Sequence, residues 1–498
     1  MATTLNLPGD SILKSPDRLF IGGEWVKAST DDQILVTAPA TEEPFARLAE
    51  AHEADIDRTV MAAREAFDNG PWRKMSHGER GAYVRALGKG LAERLEDVAK
   101  CWPNEMGITH ALARIMTDKS VSTYSSYADL ADTYPFEERR KASSDDLTGL
   151  LVREPVGVVA AIIPWNAPVM LICHKLAPAL VAGCTVILKA SPEAPTAAYI
   201  MAEIAEKVGI PKGVLNVVVS DRQASEHLVK HPEVDKVSFT GSSAAGKRIA
   251  SLLGERIGRY TLELGGKSAA VILDDYDVEQ AALAIAGPAC SFSGQVCSSL
   301  TRIIVTRGRQ QALVDALAAN YGQKRVGDPF DPASDMGPVA MRRQRDRIES
   351  LIAMGKDEGG RIAAGGGRPA HLDRGFYIEP TVFYDCDNAN TVAREEIFGP
   401  VLTVIPAKDE ADAIRIANDT VYGLNNSVFT NDVDRAYAVA RELRSGTVGQ
   451  NGFRMDFGIA FGGFKQSGVG REGHAEGLAT FLETKTLLLT GVPSHLNA

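Results

Sequence analysis

The stretch VGVVAAIIP, residues 156–164, is an apolar run of strand length that ends at a proline. Three similar runs follow it with helical spacing between them: TVILKA (185–190), VLNVVV (214–219) and KVSFTG (236–241). Strands that alternate with helices at this pitch join through right-handed crossovers and form a parallel sheet covered on both faces. Such sheets bind ligands at the carboxyl ends of their strands. The pattern therefore predicts an α/β domain with a ligand site at that edge.

The remaining segments of the chain differ in character. Residues 53–70 and 77–102 carry apolar positions at helical spacing with charged outer faces. We expect residues 1–20 to form a loose arm, and the polar stretch EERRKASSDDL (137–147) to form an exposed connection. A second alternation of strands and helices runs from about residue 269 to about residue 467, which predicts a second α/β unit.

Composition and charge exclude several classes of protein. At 498 residues the chain exceeds one hydrophobic core, so at least two domains are expected. A formal charge of −10 without a basic block argues against nucleic acid or an anionic membrane as partner. Because no signal peptide or spanning run is visible, we expect a cytoplasmic enzyme. The 6 cysteines and 9 histidines form no disulfide framework or metal motif, so no metal is expected.

Two segments combine a strand with residues suited to ligand chemistry. In FTGSSAAG (239–246), a serine can cap a helix whose free amides and dipole form an anion site. An ordinary capped turn is the preferred interpretation of that segment taken alone. In YTLELGGKS (260–268), Glu263 lies in an apolar run, where a carboxylate must be paired or raised in pKa. A raised pKa suits a general base, and a buried ion pair with Lys267 is the open alternative.

Three further segments carry a candidate nucleophile and polar turn residues. Cys297 follows Gly-Gln in FSGQVCSSLTR (292–302), although free cysteines are more often inert core residues. Asn166 follows a buried strand in IIPWNAPVMLICHK (162–175), where its amide can donate to an oxyanion or satisfy its own turn. The segment EEIFGPV (395–401) is unremarkable if it is a solvated loop.

In order and spacing, these five segments together resemble the aldehyde dehydrogenase superfamily, over about residues 20–486. The 34 positions between Glu263 and Cys297 match the spacing in that family. The resemblance implies an α/β fold with a Rossmann-type parallel-sheet cofactor domain, an α/β catalytic domain and a small β oligomerisation arm. Strand edges on that arm need a partner, so a homodimer or homotetramer is expected. The implied bounds are 1–129 and 150–264 for the cofactor domain, 265–479 for the catalytic domain, and 130–149 and 480–498 for the arm.

The resemblance also implies a mechanism. The Cys297 thiolate attacks an aldehyde to give a thiohemiacetal, whose oxyanion is held by the Asn166 amide and the Cys297 backbone amide. Hydride passes to the nicotinamide, and Glu263 activates the water that hydrolyses the resulting thioester. Lys175 and Glu472 are similar to members of a proton path behind Glu263, although a salt bridge explains both equally well.

Cofactor and substrate contacts follow from the same resemblance. Lys189 would bond the adenosine ribose, Ser242 would meet the pyrophosphate, and Glu396 with Phe398 would fix the nicotinamide riboside. The full set of implied cofactor contacts is Ile163, Pro164, Trp165, Lys189, Ser191, Glu193, Phe239, Gly241, Ser242, Gly246, Leu264, Gly265, Glu396 and Phe398. The implied substrate tunnel is lined by Ala167, Leu171, His174, Val296 and Phe461.

The sequence departs from the family pattern near the cofactor. Many NAD-preferring members carry a glutamate three residues after the ribose lysine, but here Pro192 occupies that position and the glutamate is Glu193. A carboxylate at that position repels the 2′-phosphate of NADP, so its absence weakens the discrimination between the two cofactors. We expect NAD to be preferred, with some NADP activity. Ser220 replaces a glycine frequent in the family, and Ala460 replaces the proline of a Pro-Phe-Gly-Gly turn.

Substrate preference depends on the tunnel side chains. Ala167 and His174 stand where acetaldehyde-type members often carry a bulky aromatic and a tryptophan. Smaller side chains leave more volume, so a bulky apolar or aromatic aldehyde is expected. No arginine obviously enters the predicted wall, which speaks against succinic semialdehyde.

Two rival functions are compatible with the fold. A CoA-acylating dehydrogenase would pass the thioester to CoA, but such relatives commonly lack the glutamate base that Glu263 provides here. A non-catalytic binding protein would have no reason to keep Cys297, Glu263 and Asn166 together.

Overall fold

The computed structural model describes residues 7–496. Its strands are β1 (Leu19–Ile21), β2 (Glu24–Val26), β3 (Gln33–Ala38), β4 (Glu43–Ala49), β5 (Glu137–Lys141), β6 (Thr148–Pro155), β7 (Val158–Ile162), β8 (Thr185–Ala190), β9 (Leu215–Val219), β10 (Lys236–Thr240), β11 (Arg259–Glu263), β12 (Ser268–Ile272), β13 (Leu300–Thr306), β14 (Arg361–Ala364), β15 (Thr381–Tyr384), β16 (Val401–Ala407), β17 (Asn425–Phe429), β18 (Thr447–Gln450), β19 (Gly468–Val469) and β20 (Leu482–Leu489).

The helices cover the faces and ends of these strands. They are α1 (Glu53–Asp68), α2 (His77–Glu93), α3 (Leu95–Met106), α4 (His110–Thr133), α5 (Pro168–Ala182), α6 (Thr196–Val208), α7 (Arg222–Lys230), α8 (Ser243–Gly254), α9 (Val278–Cys290), α10 (Gln310–Gly322), α11 (Arg342–Asp357), α12 (Thr391–Arg394), α13 (Glu410–Asn418), α14 (Val433–Glu442) and α15 (His474–Ala479). The helical spacing at residues 77–102 corresponds to two helices, α2 and α3, rather than one.

The larger sheet has eight strands in the order β19-β11-β10-β7-β8-β9-β1-β2. The five strands from β11 to β9 are parallel, and the four apolar runs of the sequence form β7 to β10, so the predicted parallel sheet is confirmed. Every residue of these four strands is buried. Helices α5 and α6 pack on one face and α1, α7 and α8 on the other, as two separate apolar clusters.

The second sheet has seven strands in the order β14-β15-β16-β13-β12-β17-β18. It is parallel except for β14, and α9 and α10 cover one face while α13 and α14 cover the other. The short strand β19, which follows this sheet in the chain, pairs with β11 of the larger sheet at Glu263↔Gly468. The two predicted α/β units are therefore joined beside Glu263.

A three-stranded sheet, β20-β6-β5, lies where the arm is expected, because its strands come from residues 137–155 and 482–489. The structure corrects the expectation of a connection at 137–147, because residues 137–141 form β5. Residues 130–133 belong to α4, and β6 runs to residue 155, past the expected boundary at 149. The division into domains remains a prediction.

The amino-terminal arm is packed rather than loose where the structure describes it. Leu13 is buried, and the Lys14 amide donates to Glu203 Oε1 at 2.7 Å. Residues 1–6 of the predicted arm lie outside the described range. Within residues 7–496, no helix is long and apolar enough to cross a membrane, and no group of His, Cys, Asp and Glu is placed to hold a metal ion.

Candidate active site

The site lies at the carboxyl edge of the larger sheet, where adjacent parallel strands end. Strand β7 ends at Ile162, β10 at Thr240 and β11 at Glu263. Since carboxyl ends of parallel strands meet at one edge, the loops that follow them converge. These loops carry Asn166 and Ser242, so the topology brings together segments that are distant in the sequence.

Asn166 is fixed between the sheet and the cysteine loop. It is buried, and the Trp102 Nε1 donates to its backbone oxygen at 3.1 Å. Its side-chain Nδ2 donates to the backbone oxygen of Gln295 at 2.9 Å. The amide donor therefore points at the segment that carries Cys297, as an oxyanion donor must.

The loop before Cys297 is held in an unusual backbone conformation. Residues 292–294 all have positive φ, of 55°, 55° and 73°, although non-glycine residues rarely adopt this region. Gln295, which is fully buried, stabilises this backbone conformation by hydrogen bonds on two sides of the loop. Its Oε1 accepts from the Ala340 amide at 2.9 Å, and its Nε2 donates to Phe292 oxygen at 2.9 Å.

Cys297 lies at the cavity wall, where the residue is partly exposed. Burial raises the pKa of this thiol to about 12, and the neighbouring carboxylates of Glu396 and Glu263 raise it further. The thiol therefore holds its proton at neutral pH in the free protein. Reaction as a thiolate requires a base or a positive charge close to the sulfur.

Glu263 meets the requirements of a general base. It is 2% exposed, and neither carboxylate oxygen has a hydrogen-bond partner in the described part of the chain. Burial, and then the negative charge of Glu472, raise its pKa well above the usual value. The alternative ion pair with Lys267 is not formed, because the Lys267 Nζ also lacks a partner among residues 7–496. Glu263 is therefore placed as an unpaired carboxyl beside the thiol.

Lys175 and Glu472 form a buried ion pair behind Glu263. The Lys175 Nζ also lies 3.4 Å from Ser238 Oγ, and the second carboxylate oxygen of Glu472 has no partner in the described chain. The ion pair that the sequence offered as one interpretation is therefore present, and the proton path stays a prediction.

The start of α8, where an anion site is predicted, lies at the wall of the same cavity. Ser242 caps this helix, since its side chain accepts from the Ala245 amide at 3.3 Å, which confirms the predicted cap. A Cβ at Gly246 would lie 2.5 Å from a Leu264 methyl carbon, so only glycine lets the helix approach β11 this closely. Because Ser242 and Ala244 line the cavity, the first turn of this helix suits a phosphate group.

The turn containing Glu396 and Phe398 faces the same cavity. Glu396 Oε1 accepts from the Gly266 amide at 3.1 Å, and burial raises the pKa of this carboxyl to about 7. Phe398 has a φ of 57° and meets the Trp165 ring edge-on at 5.3 Å. A carboxylate and two aromatic rings thus frame one side of the cavity.

Two residues that hold this turn were missed by sequence reasoning. Gln344 Nε2 donates to the backbone oxygen of Phe398 at 2.8 Å, and an Arg347 guanidinium nitrogen donates to the backbone oxygen of Glu396 at 3.0 Å. Both lie on α11, and the sequence of α11 shows only the pattern of a charged amphipathic helix, which gives no sign of a role at the site. Only the tertiary fold places them at the site.

These groups surround one cavity of about 410 Å³. It is lined by Pro164, Trp165, Asn166, Leu171, Thr240, Gly241, Ser242, Ala244, Leu264, Cys297, Gln344, Arg347, Glu396 and Phe398. The cavity therefore brings together ten of the residues predicted from five separate segments.

Other predicted cofactor residues lie outside that lining. Ile163 donates through its amide to the Lys189 oxygen at 3.0 Å, and burial lowers the pKa of Lys189 to about 8. The Glu193 carboxylate pairs with Arg343 and accepts from Ser191 Oγ, and it lines a different cavity of about 610 Å³. Phe239 lies in β10, Gly246 in α8 and Gly265 in the turn that follows β11, all outside that lining.

The predicted tunnel residues include an aromatic stack. His174 is buried and stacks on Phe457 at 4.0 Å, and Phe457 stacks on Phe461 at 4.4 Å. Burial lowers the pKa of His174 to about 3, so its ring is neutral. Ala167, Leu171 and His174 follow helical spacing along α5, and Leu171 reaches the cavity. Phe457 was not predicted from the sequence, because its loop carries no recognisable pattern.

Fold and site together define a class: a doubly wound α/β protein that gathers a cysteine, a side-chain amide and buried carboxylates at one sheet edge. The chain belongs to the aldehyde dehydrogenase family, whose model matches residues 25–487.

Individual relatives match nearly the whole chain. Geranial dehydrogenase of Castellaniella defragrans is 40% identical over 95% of this chain and 98% of its own length. The structure of a Mycobacterium tuberculosis aldehyde dehydrogenase complexed with NAD+ is 44% identical, with a TM-score of 0.93 and coverage of 95% and 98%. A cysteine-to-alanine mutant of aldehyde dehydrogenase C from Pseudomonas syringae, complexed with NAD+ and octanal, is 37% identical, with a TM-score of 0.91 and coverage of 95% and 96%.

Proposed function

We propose that this protein oxidises a bulky apolar or aromatic aldehyde to the carboxylic acid with NAD(P)+, through a thioester that water hydrolyses. The observation that carries the proposal is the single cavity that Cys297, Asn166 and Glu396 share, with the unpaired Glu263 close enough to perturb the thiol. Each of these groups has a separate task in the reaction.

Cys297 is the nucleophile: Glu263 in its ionised form accepts the thiol proton, and the thiolate sulfur then adds to the aldehyde carbon to form a thiohemiacetal. The negative charge then develops on the former carbonyl oxygen. Asn166 Nδ2 stabilises that charge when its bond to the Gln295 oxygen is exchanged for one to the oxyanion. Loss of hydride leaves a thioester on the same sulfur.

Glu263 releases the thiol proton to solvent and acts again in the second half of the reaction. In its ionised form it removes a proton from water, and the resulting hydroxide attacks the thioester carbon and expels the Cys297 sulfur. Its raised pKa makes the carboxylate a stronger base than an exposed glutamate. Because this base is present, hydrolysis is favoured over transfer of the acyl group to CoA.

The residues around the cavity fit a nicotinamide dinucleotide. The capped start of α8 at Ser242 suits the pyrophosphate, Lys189 suits a ribose, and Glu396 suits the hydroxyls of the second ribose. When bound, NAD(P)+ supplies the acceptor for the hydride. The NAD+ complexes of the relatives support this assignment.

We propose that NAD+ is preferred but that NADP+ is used. The Glu193 carboxylate is neutralised by Arg343 and turned toward the second cavity, so it does not repel a 2′-phosphate as an unpaired carboxylate at position 192 would. This contact supports weak discrimination between the two cofactors.

The aromatic stack and the small Ala167 support a large, apolar substrate. A neutral His174 stacked with Phe457 presents ring faces rather than a charge. The names of two relatives, geranial dehydrogenase and an enzyme crystallised with octanal, point in the same direction.

A panel of aldehydes tests the proposal. The purified protein is assayed with octanal, benzaldehyde and acetaldehyde, with each cofactor and without CoA, and both NAD(P)H and carboxylate are measured. We expect the carboxylate to form in equal amount to NAD(P)H, with higher kcat/KM for the first two aldehydes, and no product with the Cys297→Ala variant. Higher kcat/KM for acetaldehyde contradicts the substrate assignment, and an NADP+ preference beyond about tenfold contradicts the cofactor order.

We also propose that the three-stranded sheet β20-β6-β5 joins subunits into a homodimer or homotetramer. Its edge strand β5 is largely exposed, and unpaired strand edges favour association. Light scattering of the purified protein distinguishes these assemblies from a monomer.

A further inference from the structure

The second cavity, of about 610 Å³, lies apart from the cavity that holds Cys297, and the two share no lining residue. Its lining comes from strand β3, the last turn of α3, the turn after β8 and the start of α11. No step of the proposed reaction takes place there. Its composition therefore has to be explained by something other than the oxidation itself.

Part of the lining is apolar. Strand β3 contributes Ile34, Leu35 and Val36, and Met341 and Phe376 line the same space. Leu35 is 51% exposed, so this apolar surface is open to a ligand from solvent. Ligand sites typically combine such a surface with a few polar groups that orient the bound molecule.

The start of α11 supplies hydrogen-bond donors. Arg342 and Arg343 are its first two residues, and the helix has no side-chain cap and no acidic residue in its first turn. Arg342 pairs with Glu42. Arg343 pairs with Glu193. A guanidinium has more N–H donors than one carboxylate can accept from, so both arginines keep donors for a further acceptor, beside the free amides of the helix start.

Glu105 adds a buried polar group to the second cavity and is only 1% exposed. Its Oε1 accepts from the Thr196 amide at 2.9 Å, whereas its Oε2 has no hydrogen-bond partner among residues 7–496. Burial raises the pKa of this carboxyl to about 8, so the group is mostly protonated at neutral pH and can donate a hydrogen bond. An unpartnered buried donor is costly, and an acceptor bound in the cavity removes that cost.

An anion fits the polar part of the lining better than a cation does. The carboxylates of Glu42 and Glu193 already face arginines. The third carboxylate of the lining, Asp346, lies 3.6 Å from Arg345. A cation would therefore compete with existing ion pairs, whereas an anion finds unused donors. The apolar part of the lining requires an apolar body on the same molecule.

We propose that the second cavity binds a monocarboxylate with an apolar body, whose head lies at Arg342 and Arg343 and whose body lies against β3. An aliphatic or aromatic carboxylate of this kind is the product class of the oxidation proposed above. The match between ligand and product rests on that proposed function, whereas the site itself rests on the lining.

Binding at this site affects the choice of cofactor through Arg343. Its guanidinium neutralises Glu193, whose charge in turn acts on Lys189. A ligand carboxylate that shares the guanidinium weakens this neutralisation, so Glu193 repels the 2′-phosphate of NADP+ more strongly. The bound acid should therefore raise the preference for NAD+.

Calorimetric titration with sodium octanoate tests binding, and octanol is the probe that has the same body without the charge. Arg342→Gln removes one positive charge from the second cavity. Arg361→Gln is the matched control, because Arg361 lies outside both cavities and is 66% exposed, against 60% for Arg342. Like Arg342, it has a carboxylate partner, Asp385 at 3.4 Å, and an aromatic ring nearby, that of Tyr384 at 4.9 Å.

We expect octanoate to bind about tenfold more weakly to Arg342→Gln than to the unmodified protein, with the Arg361→Gln control within about twofold. For octanol, all three proteins should agree within about twofold. Equal octanoate affinity in Arg342→Gln overturns the proposal. An equal loss for octanol also overturns it, because the substitution would then have disturbed the cavity rather than the recognition of charge.

The ratio of kcat/KM for NAD+ over NADP+, measured with one aldehyde, gives a second readout. Octanoate that binds in the catalytic cavity affects both cofactors alike, so it does not change this ratio. Saturating octanoate should raise the ratio about threefold or more in the unmodified protein and in Arg361→Gln, and should leave it unchanged in Arg342→Gln. A ratio that octanoate does not change in the unmodified protein overturns the proposal. If the aldehyde panel yields no carboxylate, the proposed function fails instead, because the titration needs no turnover.

Discussion

Replacement of Glu263 by glutamine tests two effects of this carboxylate: its contribution to catalysis, and the loss of folding stability that its burial causes. The side chain is 2% exposed, and its two oxygens lack hydrogen-bond partners in the described chain. Glutamine has nearly the same shape and no charge. We therefore expect Glu263→Gln to abolish most turnover, by about 10²–10⁴-fold, while making the folded protein more stable at neutral pH.

The pH dependence of this gain in stability follows from the raised pKa of Glu263. Between the unfolded carboxyl's pKa, near 4.3, and its higher folded value, the folded protein holds one more proton than the unfolded chain. The free energy of unfolding of the unmodified protein therefore falls with rising pH in this window, by about 1.4 kcal/mol per pH unit. It becomes level above the folded pKa. Because glutamine does not titrate, the stability of the variant relative to the unmodified protein rises with pH through this window.

This free energy corresponds to a measurable change in Tm. An unfolding entropy of about 2.1 cal/mol/K per residue over 498 residues gives about 1 kcal/mol per degree. The Tm difference between Glu263→Gln and the unmodified protein should then widen by roughly 1 °C for each pH unit within that window. Calorimetry at a fixed scan rate measures it, with the exposed Glu255→Gln as control. A Tm difference that stays constant with pH would refute the reasoning, because Glu263 would then titrate alike in folded and unfolded protein.

Three further substitutions test other contacts of the site. Asn166→Ala removes the oxyanion donor, so kcat should fall about 10²–10³-fold with little change in KM, which steady-state kinetics measures. Gln295→Met leaves the Ala340 amide without its acceptor; we expect a loss of about 1–3 kcal/mol in stability, seen as a lower Tm, and slower alkylation of Cys297 by iodoacetamide. Pro192→Glu adds a carboxylate near the ribose lysine, so the ratio of kcat/KM for NAD+ over NADP+ should rise about tenfold; an unchanged ratio would place the 2′-hydroxyl elsewhere.

The sequence predicts the larger sheet well because its signals are local. Each of the strands β7 to β10 is a short apolar run bounded by a turn or a proline, and burial on both faces of a parallel sheet requires such a run. The cap at Ser242 is equally local, since it depends on residues within one turn of the helix. These features need no knowledge of the rest of the chain.

The remaining features depend on which segments meet in space. Arg343 neutralises Glu193 across 150 positions, and Gln344 holds a turn 54 positions away. Neither partner shows a pattern in its own segment. The local pattern does not predict the arm strand β5 either, because its EERRK sequence is exposed and charged and forms a strand only through pairing with β6. Strand propensity carries little information where partner pairing decides the structure.

The pair Gly265-Gly266 shows why the site tolerates so many buried groups so close together. A Cβ at Gly265 would lie 2.2 Å from a Glu396 carboxylate oxygen, and one at Gly266 would lie 2.2 Å from the Cys297 backbone oxygen. Any side chain here would push the Glu396 turn or the cysteine loop out of the cavity. The two glycines follow the strand of Glu263 after one intervening residue. The absence of side chains at these two consecutive positions lets the base, the nucleophile and the Glu396 carboxylate approach from three different elements. Alanine at either position should therefore reduce activity more than it reduces stability, because loops that carry reacting groups move more easily than the sheet beneath them.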